Sequence, residues 1–405
     1  DFLLSLVGSE MCIRDSLYIA WKYLSFNRAR TATLVACVTL IAILPLALQL
    51  LLAESERQLL SRAESTPLLL GAPGSALDLV MNGLYFDDEV PQLISMMAVE
   101  SLEASGLAMP IPLYVRFKAR RFPIVGTTLD YFDFRALTIA EGRQLAQLGE
   151  CVIGAEVAAR LGITVGDSLL SSPETVFDLA GVYPLKMQVA GVLQRSHTPD
   201  DLAVFVDIKT AWVVQGLVHG HEDVTRPQDA SVIIERTDAN VVANARLVEY
   251  TEITTENIDS FHFHGAPGDY PLSAVIAVPD DAKAGTILRG RYLDGDAGYQ
   301  LVVPETVIDG LLANIFRIKH MLDAVILVVG VATVLALILV FALSIRLRQR
   351  EIHTVFRIGG SRLTIVRLLA AEIAIIVLFS GLLCMAAIVL VHQYSNELVR
   401  TLFIG

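Results

Sequence analysis

Three apolar blocks of about twenty residues constrain this chain more than any other feature of its sequence. Residues 34–53 and 324–344 carry no charged side chain, and residues 368–391 carry only Glu372. A helix that rises about 1.5 Å per residue needs roughly 20 residues to cross about 30 Å of hydrocarbon. The blocks also explain a hydrophobic content of 54%, above the roughly 45–50% of soluble domains. We therefore predict three transmembrane helices.

Two other structures would also give a single apolar block of this kind, namely a buried core helix and a signal peptide. Long core helices are normally amphipathic, and the apolar part of a signal peptide runs over only about 7–15 residues. Three uncharged blocks therefore favour an α-helical membrane protein over both alternatives.

The distribution of charge predicts the orientation in the membrane. Lys22, Arg28 and Arg30 precede or open the first block, and the loop between the second and third blocks holds six arginines against Glu351. Residues 54–323 carry 37 acidic and 20 basic side chains. Because basic segments stay in the cytoplasm, we place residues 54–323 outside it, in a multi-pass protein of the inner (cytoplasmic) membrane. Basic residues that follow the membrane also argue against nucleic-acid binding.

The chain divides into segments that follow from the blocks and the charges. Residues 1–16 read DFLLSLVGSEMCIRDS, have no basic start or cleavage signal, and resemble translated sequencing-adapter read-through, so we expect them to be a non-native artefact. The remaining segments are a cytoplasmic amphipathic elbow (17–32), a first span (33–53), an extracytoplasmic domain with stalk helices (54–323), a second span (324–344), a cytoplasmic elbow (345–367), a third span (368–392) and a truncated outer loop (393–405).

The segment 54–323 is predicted to be a large α+β domain. Residues 113–120 alternate between apolar and polar side chains, as in a half-buried strand. Pro67 ends one stalk helix, and Pro304 opens the other at its first position. Further predicted elements are strands at 186–193, 203–208, 232–235, 274–278 and 300–303, a helix at 155–161, and loops near 67–90, 216–230 and 256–272.

The most specific stretch lies between the second and third blocks and reads REIHTVFRIGGSR over residues 350–362. A glycine pair can end its basic helix because glycine adopts the left-handed conformation without strain, and the serine after it can cap the next helix. A cytoplasmic elbow of this kind between two spans could transmit a movement from a partner protein to the membrane helices. The alternative is an ordinary basic loop, whose arginines only anchor the chain at the membrane surface. Its defining residues are Arg350, Glu351, Arg357, Gly359, Gly360, Ser361 and Arg362.

This stretch resembles the R-E-I-x-x-x-R-x-x-G-(A/G)-S-R pattern of FtsX-like permeases, the family that includes MacB and the lipoprotein-releasing permeases. Glu372 falls where that family often has a glutamate, and IGAEVAARLGITVGDSL (153–169) is similar to a motif of its outer domain. Residues 18–30 are similar to its amphipathic elbow before the first span. The resemblance is weak over residues 195–300. The family has four spans, so we expect a fragment truncated before the fourth.

The resemblance implies the permease subunit of an ABC transporter, in which the elbow couples the membrane helices to an ATPase. No G-x-x-x-x-G-K-(S/T) phosphate loop occurs in the sequence, so ATP and Mg would be bound by a partner ATPase and not by this chain. The implied partners are that ATPase, a second permease chain in a homo- or heterodimer, the lipid bilayer and a periplasmic partner. The sequence does not identify the substrate on which such a transporter would act.

Histidine pairs in the outer domain support a separate hypothesis. His219 and His221 form one i,i+2 pair, and His262 and His264 form another. On strands each pair would lie on one face, where imidazoles could bind zinc or copper. The alternative is ordinary polar loop chemistry in an acidic domain.

Two other functional classes fit the sequence less well. A membrane-anchored sensor with a ligand-binding outer domain is the alternative to a permease, but it leaves the elbow unexplained. Catalysis is not supported, because the sequence has no G-x-S-x-G or H-E-x-x-H motif. The aspartate pairs at 87–88, 200–201 and 280–281 are predicted to be turn or loop residues.

Overall fold

A computed structural model of the chain describes residues 15–172, 184–220, 233–236, 241–243, 251–263, 265–293, 298–347 and 362–403, together with the single residues 349 and 357. The chain divides into two compact units. One unit comprises Asp1–Arg57 and Leu312–Gly405, and the other, which we call the outer unit, comprises Gln58–Leu311.

Long helices dominate the first unit, as the apolar blocks predict. They are Arg28–Glu64, Pro304–Leu347 and Arg362–Phe403, of which residues 58–64 and 304–311 belong to the outer unit. Residues 15–26 are also helical. Among the described residues, two stretches are long and apolar enough to cross a membrane, Arg28–Leu51 with a mean hydropathy of 2.6 and Val366–Val391 with 2.9. The block 324–344 lies inside the second long helix, where Leu327 and Leu339 are exposed. Its role as a span stays a prediction.

Contacts within the first unit join its N-terminal segment to the third long helix. The rings of Trp21 and Phe379 stack with their centroids 5.8 Å apart. The hydroxyl of Ser380 donates to the carbonyl of Val35 at 3.3 Å. Because a serine hydroxyl among apolar side chains must find an acceptor, this bond also fixes which face of the third helix meets the first.

The outer unit is built around a mixed sheet. The strands of this sheet are β1 (Leu68–Gly71), β3 (Ala108–Ala119), β4 (Phe122–Thr127), β5 (Ile139–Gly142), β6 (Glu150–Ile153), β7 (Ser168–Leu170), β8 (Lys186–Leu193), β9 (Val204–Asp207), β15 (Ala274–Pro279) and β16 (Gln300–Val302). Among the described residues they follow the order β16-β1-β15-β3-β4-β9-β6-β8-β5, with β7 beside β8. Two pairs, β4–β9 and β6–β8, are parallel, and the other pairs in this sheet are antiparallel.

Smaller elements complete the outer unit. In the part of the chain that the structure describes, three two-stranded sheets pair β2 (Ile94–Ser95) with β14 (Pro271–Leu272), β10 (Val218–Gly220) with β13 (Phe261–Phe263), and β11 (Ile233–Arg236) with β12 (Val241–Ala243). The helices are Ala76–Tyr85, Met97–Ser105, Leu129–Phe134, Ala155–Leu161, Ile208–Gln215 and Ala282–Arg291, and short 3₁₀ turns lie at Pro199–Leu202, Ile258–Ser260 and Pro267–Asp269.

The first and last strands of the outer unit are neighbours. β1 begins four residues after the first long helix ends at Glu64, and β16 ends two residues before Pro304 opens the second. The two strands are antiparallel, with Leu70 opposite Leu301. Both long helices are therefore connected to the same edge of one sheet.

Most of the elements predicted from sequence are confirmed. The strand Lys186–Leu193, the helix Ala155–Leu161 and the helix start at Pro304 have the predicted limits. Within the strand at 113–120, the predicted polar face includes Tyr114, but this residue is fully buried.

The predicted loops need correction. The loop near 67–90 is wrong, because this segment holds β1 and the helix Ala76–Tyr85. Ser75 begins that helix by accepting the backbone N–H of Asp78. The segments near 216–230 and 256–272 also hold short strands, namely β10 in the first and β13 and β14 in the second.

Candidate functional site

A buried ion pair fixes the end of the first long helix in the outer unit. Arg62 lies in the last turn of that helix and is only 6% exposed. Its Nη1 donates to Oδ2 of Asp200 at 2.6 Å, and its Nη2 donates to Oδ1 at 3.0 Å. Such a two-point contact is the strongest pairing available to a guanidinium, and it sets the direction of the helix end as well as its position.

Two further hydrogen bonds engage Arg62. Its Nε donates to the carbonyl of Leu84, and its Nη2 also donates to the hydroxyl of Tyr131 at 2.9 Å. Tyr131 in turn donates to Oδ1 of Asp200 at 2.7 Å. The guanidinium lies 5.3 Å from the ring centre of Phe86, in cation–π geometry. A buried charge is tolerated when it is paired and hydrogen-bonded, and here each nitrogen of the guanidinium donates at least one hydrogen bond.

Asp200 and Asp201 have different tasks although they are neighbours. Both are buried in the 3₁₀ turn Pro199–Leu202. Asp201 holds the preceding loop, since its carboxylate accepts the backbone N–H groups of Ser196 and His197 at 2.9 and 2.8 Å. Asp200 binds Arg62 and accepts the hydroxyl of Thr198 at 2.8 Å. Asp201 therefore shapes the turn that presents Asp200.

Opposing effects set the pKa values in this cluster. Burial acts to raise the pKa of Asp200, but the charge and hydrogen bonds of Arg62 outweigh it and hold that pKa below its usual range. Burial acts to lower the pKa of Arg62, and the attraction of Asp200 reverses the effect, so this pKa lies above its usual value. Burial also raises the pKa of Tyr131. The pair thus stays ionised at neutral pH and is a permanent structural contact.

A second set of contacts holds the residues that follow Arg62. Arg135 donates to the hydroxyls of Ser65 and Thr66 at 2.9 and 2.7 Å. Tyr85 donates to the carbonyl of Leu59, one turn before Arg62. Arg135 and Tyr85 thus contact the helix end on either side of Arg62 in the sequence. We call the set Arg62, Asp200, Tyr131, Tyr85 and Arg135 the helix anchor.

Gly154, in the motif at 153–169, packs against the turn that carries Asp200. A Cβ atom on Gly154 would lie 2.3 Å from the carbonyl oxygen of Asp201 and 2.4 Å from that of Asp200. Only glycine allows the turn that carries Asp200 to approach so closely. The N–H of Gly154 also donates to the carbonyl of Ala203 at 2.9 Å. Farther along, Gly162 ends the helix with a φ of 64°. In this motif, Gly154 therefore allows close packing of the turn at 199–202.

The predicted elbow lies mainly beyond the part of the chain that the structure describes. Arg357 is described as helical and exposed, and Arg362 is the first residue of the third long helix. The residues Arg350, Glu351, Gly359, Gly360 and Ser361 lie outside the described ranges. Glu372 lies in the third long helix and is 7% exposed. The coupling role of these residues stays a prediction.

The structure brings two of the four predicted histidines together. His219 on β10 and His262 on β13 are directly opposite each other in an antiparallel pair. His221 and His264 lie outside the described residues. Within the described ranges, no group of three or more His, Cys, Asp or Glu side chains could hold a metal ion.

Sequence reasoning missed the helix anchor. The residues at 200–201 are predicted to be turn residues, which is correct for the backbone but leaves out the burial of Asp200. Arg62 carries no local signal, because an arginine in a polar helix end is ordinary. The two residues are 138 positions apart, and no pattern in one sequence joins positions at that distance.

The fold thus defines a mixed α+β domain that is connected at one edge to two long helices. Comparison with known families then identifies the chain. Residues 35–259, more than half of its length, match the model of the MacB-like periplasmic core domain. The chain belongs to this family, which confirms the resemblance to FtsX/MacB-like permeases. Arg62, Tyr131 and Asp200 all lie within the matched residues.

Two solved structures are similar to this chain, although their sequence identity to it is low. The extracellular domain of the noncanonic ABC-type transporter YknZ from Gram-positive bacteria is 14% identical, with a TM-score of 0.32, over 58% of this chain and 98% of that one. The periplasmic region of MacB from Actinobacillus actinomycetemcomitans is 10% identical, with a TM-score of 0.31, over 62% and 97%. A search of curated proteins finds no match.

Proposed function

We propose that the chain is the permease subunit of an ABC transporter of the FtsX/MacB mechanotransmission type. In this proposal a separate ATPase binds and hydrolyses MgATP, and the resulting movement is passed through the long helices to the outer unit. Membership in the MacB-like periplasmic core domain family supports the proposal. The stretch REIHTVFRIGGSR at 350–362, which resembles the FtsX-like permease pattern, agrees with it.

The helix anchor is the observation that carries the proposal. The helix that holds the apolar stretch Arg28–Leu51 continues to Glu64 and bears Arg62 in its last turn. Because Arg62 is bound at two points by Asp200, the helix end cannot shift along or about its axis without breaking a buried ion pair. Removing one partner of such a pair typically costs about 3–5 kcal/mol. A displacement of the helix would therefore move the surrounding domain with it.

The adjacent edge strands support the same conclusion for the second long helix. β16 leads into that helix at Pro304, and Ile308 in its second turn is fully buried. β16 is hydrogen-bonded to β1, which follows the anchor. The side-chain amide of Gln300 also donates to the carbonyl of Ala72 at 2.7 Å. Because the two helices are connected to neighbouring strands, a displacement of either helix would be passed to the same edge of the sheet.

The elbow at 345–367 would receive the movement in the cytoplasm. Its basic residues and the glycine pair Gly359-Gly360 suit a short surface helix held against an ATPase subunit. A second permease chain would complete a symmetric assembly on an ATPase dimer. The spans would cross the inner membrane, with the outer unit outside the cytoplasm.

Flexible insertions test the transmission step. A four-residue Gly-Ser insertion after Arg57 separates the apolar stretch from the anchor, and a second insertion after Lys319 interrupts the other long helix. Both should abolish transport by the intact complex while its ATPase activity remains. The same insertion after Glu89, in an exposed loop, is the matched control. Full transport in the Arg57 and Lys319 variants would overturn this transmission mechanism.

Copurification tests the assignment to ABC transporters independently. The chain, extracted from membranes in mild detergent, should retain an ABC ATPase in stoichiometric amount. A preparation with an intact elbow that retains no ATPase would overturn the assignment, whatever the insertion variants do.

A further inference from the structure

We propose that residues 15–28, which we call the surface segment, bind anionic phospholipid headgroups through Lys22 and Arg28. The segment is helical from residue 15 to 26 and leads into the apolar stretch Arg28–Leu51. This assignment rests on the proposed function, in which that stretch crosses the membrane, and it adds the class of lipid that the segment recognises.

The surface segment exposes large apolar side chains. Phe26 is 88% exposed, and Tyr18 and Trp21 are also exposed. Ala20 and Leu24 are buried, so the helix is packed on one side and leaves the aromatic rings on another. Exposed apolar surface of this kind marks a protein or membrane contact. Tyr and Trp are the residues enriched where headgroups meet hydrocarbon, which favours the membrane.

A bend separates the surface segment from the apolar stretch. The hydroxyl of Thr31 is shared between the carbonyls of Asn27 and Leu24, each at 3.1 Å. In a straight helix, residues seven positions apart are separated by about 10 Å along the axis, too far for the bond to Leu24. The helix is also interrupted by a turn at Asn27. The surface segment therefore leaves the axis of the helix that follows it.

Side chains near the bend hydrogen-bond to the backbone of the surface segment. The side-chain amide of Asn27 donates to the carbonyl of Tyr23 at 3.3 Å, and Nε of Arg28 donates to the carbonyl of Ser25 at 3.1 Å. Carbonyls at a helix end need partners of this kind, so the bend is a stable part of the fold. A helix that turns away at the end of a span can lie along the membrane surface with its apolar side chains at the headgroup level.

The charge of the surface segment favours anionic lipid. Lys22 and Arg28 are exposed, and residues 16–53 contain no acidic side chain. The ammonium of Lys22 lies 5.7 Å from the ring centre of Tyr18, so this charge lies beside an exposed ring on the same side of the helix. Basic side chains next to a span are attracted to anionic headgroups. Charge and aromatic rings thus point to the same ligand.

Fluorescence quenching by brominated lipids tests this preference. The purified full chain is reconstituted into phosphatidylcholine vesicles that contain an equal fraction of either brominated phosphatidylglycerol or brominated phosphatidylcholine. Bromine quenches an indole only at short range. The chain has two tryptophans, so a Trp21→Phe variant gives the signal of Trp212, which is subtracted. Phosphatidylglycerol should bind near Trp21 at least about fivefold more tightly, since one basic side chain near an anionic surface contributes about that factor.

Variants show whether the two charges cause the preference. Lys22→Gln/Arg28→Gln should bind both lipids nearly equally, whereas Lys22→Arg/Arg28→Lys, which keeps both charges, should retain the preference. Arg57→Gln removes an exposed charge elsewhere on the same helix and is the matched control. Loss of the preference in the charge-conserving variant or in the control would overturn the proposal.

The unchanged chain gives two further outcomes that would overturn the proposal. Equal quenching of Trp21 by the two lipids would show that the surface segment does not select anionic headgroups, which leaves its exposed rings to a protein partner, and the proposed function would stand. Quenching by neither lipid would overturn the membrane location as well.

A salt titration needs no variant. The preference of the unchanged chain for phosphatidylglycerol should fall as NaCl is raised from about 0.1 to 1 M, because the screening length shrinks from about 10 to 3 Å. A preference that does not change with salt would show that charge does not determine the bound lipid, and would contradict the proposal.

Discussion

Asp200 binds both terminal nitrogens of Arg62, at 2.6 and 3.0 Å, although 138 positions separate the two residues in the sequence. Asp200 lies in a 3₁₀ turn of the outer unit, whereas Arg62 lies in the last turn of a helix whose first part is apolar enough to cross a membrane. The contact is buried, and each nitrogen of the guanidinium donates a hydrogen bond, so its loss should have a measurable cost.

The first prediction concerns the two partners of this ion pair. Arg62→Met and Asp200→Leu should each lower the free energy of unfolding of the outer unit by about 3–5 kcal/mol, since each leaves a buried charge unpaired. The double variant should lose much less than the sum, because no charge remains. Denaturant unfolding, followed by the fluorescence of Trp212, gives the free energy of unfolding of the unchanged chain, the two single variants and the double variant, which together form a double-mutant cycle. Strictly additive losses would show that the two residues do not interact.

The double variant also separates stability from transmission. If the ion pair fixes the helix end, Arg62→Met/Asp200→Leu should fold but transport more slowly than the unchanged complex at equal ATPase activity. Arg57→Met is the control, because Arg57 is exposed and forms an i,i−3 pair with Glu54 on the same helix. Equal transport in both variants would assign the pair to stability alone.

The second prediction concerns Gly154. An alanine there would place its Cβ 2.3 Å from a backbone carbonyl, and overpacking of this kind typically costs about 1–3 kcal/mol. Gly290→Ala is the control, because that glycine lies in the helix Ala282–Arg291 and a Cβ atom added to it would meet no atom within 4 Å. This change should be stabilising by about 0.5–1 kcal/mol. Thermal unfolding of both variants would reveal the opposite signs.

The third prediction concerns acid stability and Glu150. Hydrogen bonds from Arg143, followed by those from the N–H groups of Ala146 and Gln147, hold the pKa of Glu150 below its usual value of 4.5. The folded state therefore binds this proton less readily than the unfolded state does. The resulting stability is complete above about pH 4.5 and is lost as the pH falls through the lower folded pKa.

Glu150→Gln should therefore weaken the dependence of the free energy of unfolding on pH below about 4.5. Glu141→Gln, at an exposed residue of β5, is the control. Denaturant unfolding at several pH values between about 3 and 6 measures the slope. An unchanged slope in Glu150→Gln would contradict the assignment.

The fourth prediction uses Cys151 as a reporter. This residue is fully buried in β6, and burial raises the pKa of its thiol to about 12. Because the thiolate is the reactive form, alkylation at about pH 8 should be very slow in the folded chain. In a background where the other cysteines are serine, Arg62→Met should speed the labelling of Cys151. Rapid labelling of the unchanged chain would show that the sheet opens readily.

Local patterns in the sequence predict most of the fold. The helix beginning at Pro304 and the strand Lys186–Leu193 are predictable because their signals lie within a few residues. The helix Ala76–Tyr85 lies where a loop is predicted, although Ser75, three residues before Asp78, is a helix-start signal. Tyr114 was misplaced because its hydroxyl suggested a polar face. In the structure it donates to Gln215 from a buried position.

The site was less accessible to sequence reasoning than the fold. The histidine pairs are visible because i,i+2 spacing is local, and the structure then shows that His219 and His262 are opposite each other. The anchor depends on contacts between distant segments, which only the folded chain creates. The spacing of Gly154 from Gly162 and Gly166 resembles a family motif, but its reason, the approach of the 199–202 turn, is likewise a tertiary contact.

The pairing of β1 with β16 has a consequence for how such proteins diversify. The chain enters and leaves the outer unit through adjacent strands, so the two ends of this unit lie side by side. Domains with neighbouring ends can be exchanged or inserted with little disturbance to their host. A different outer domain with the same edge pairing could thus be grafted between the two long helices, so that new extracytoplasmic specificities arise without redesign of the helices.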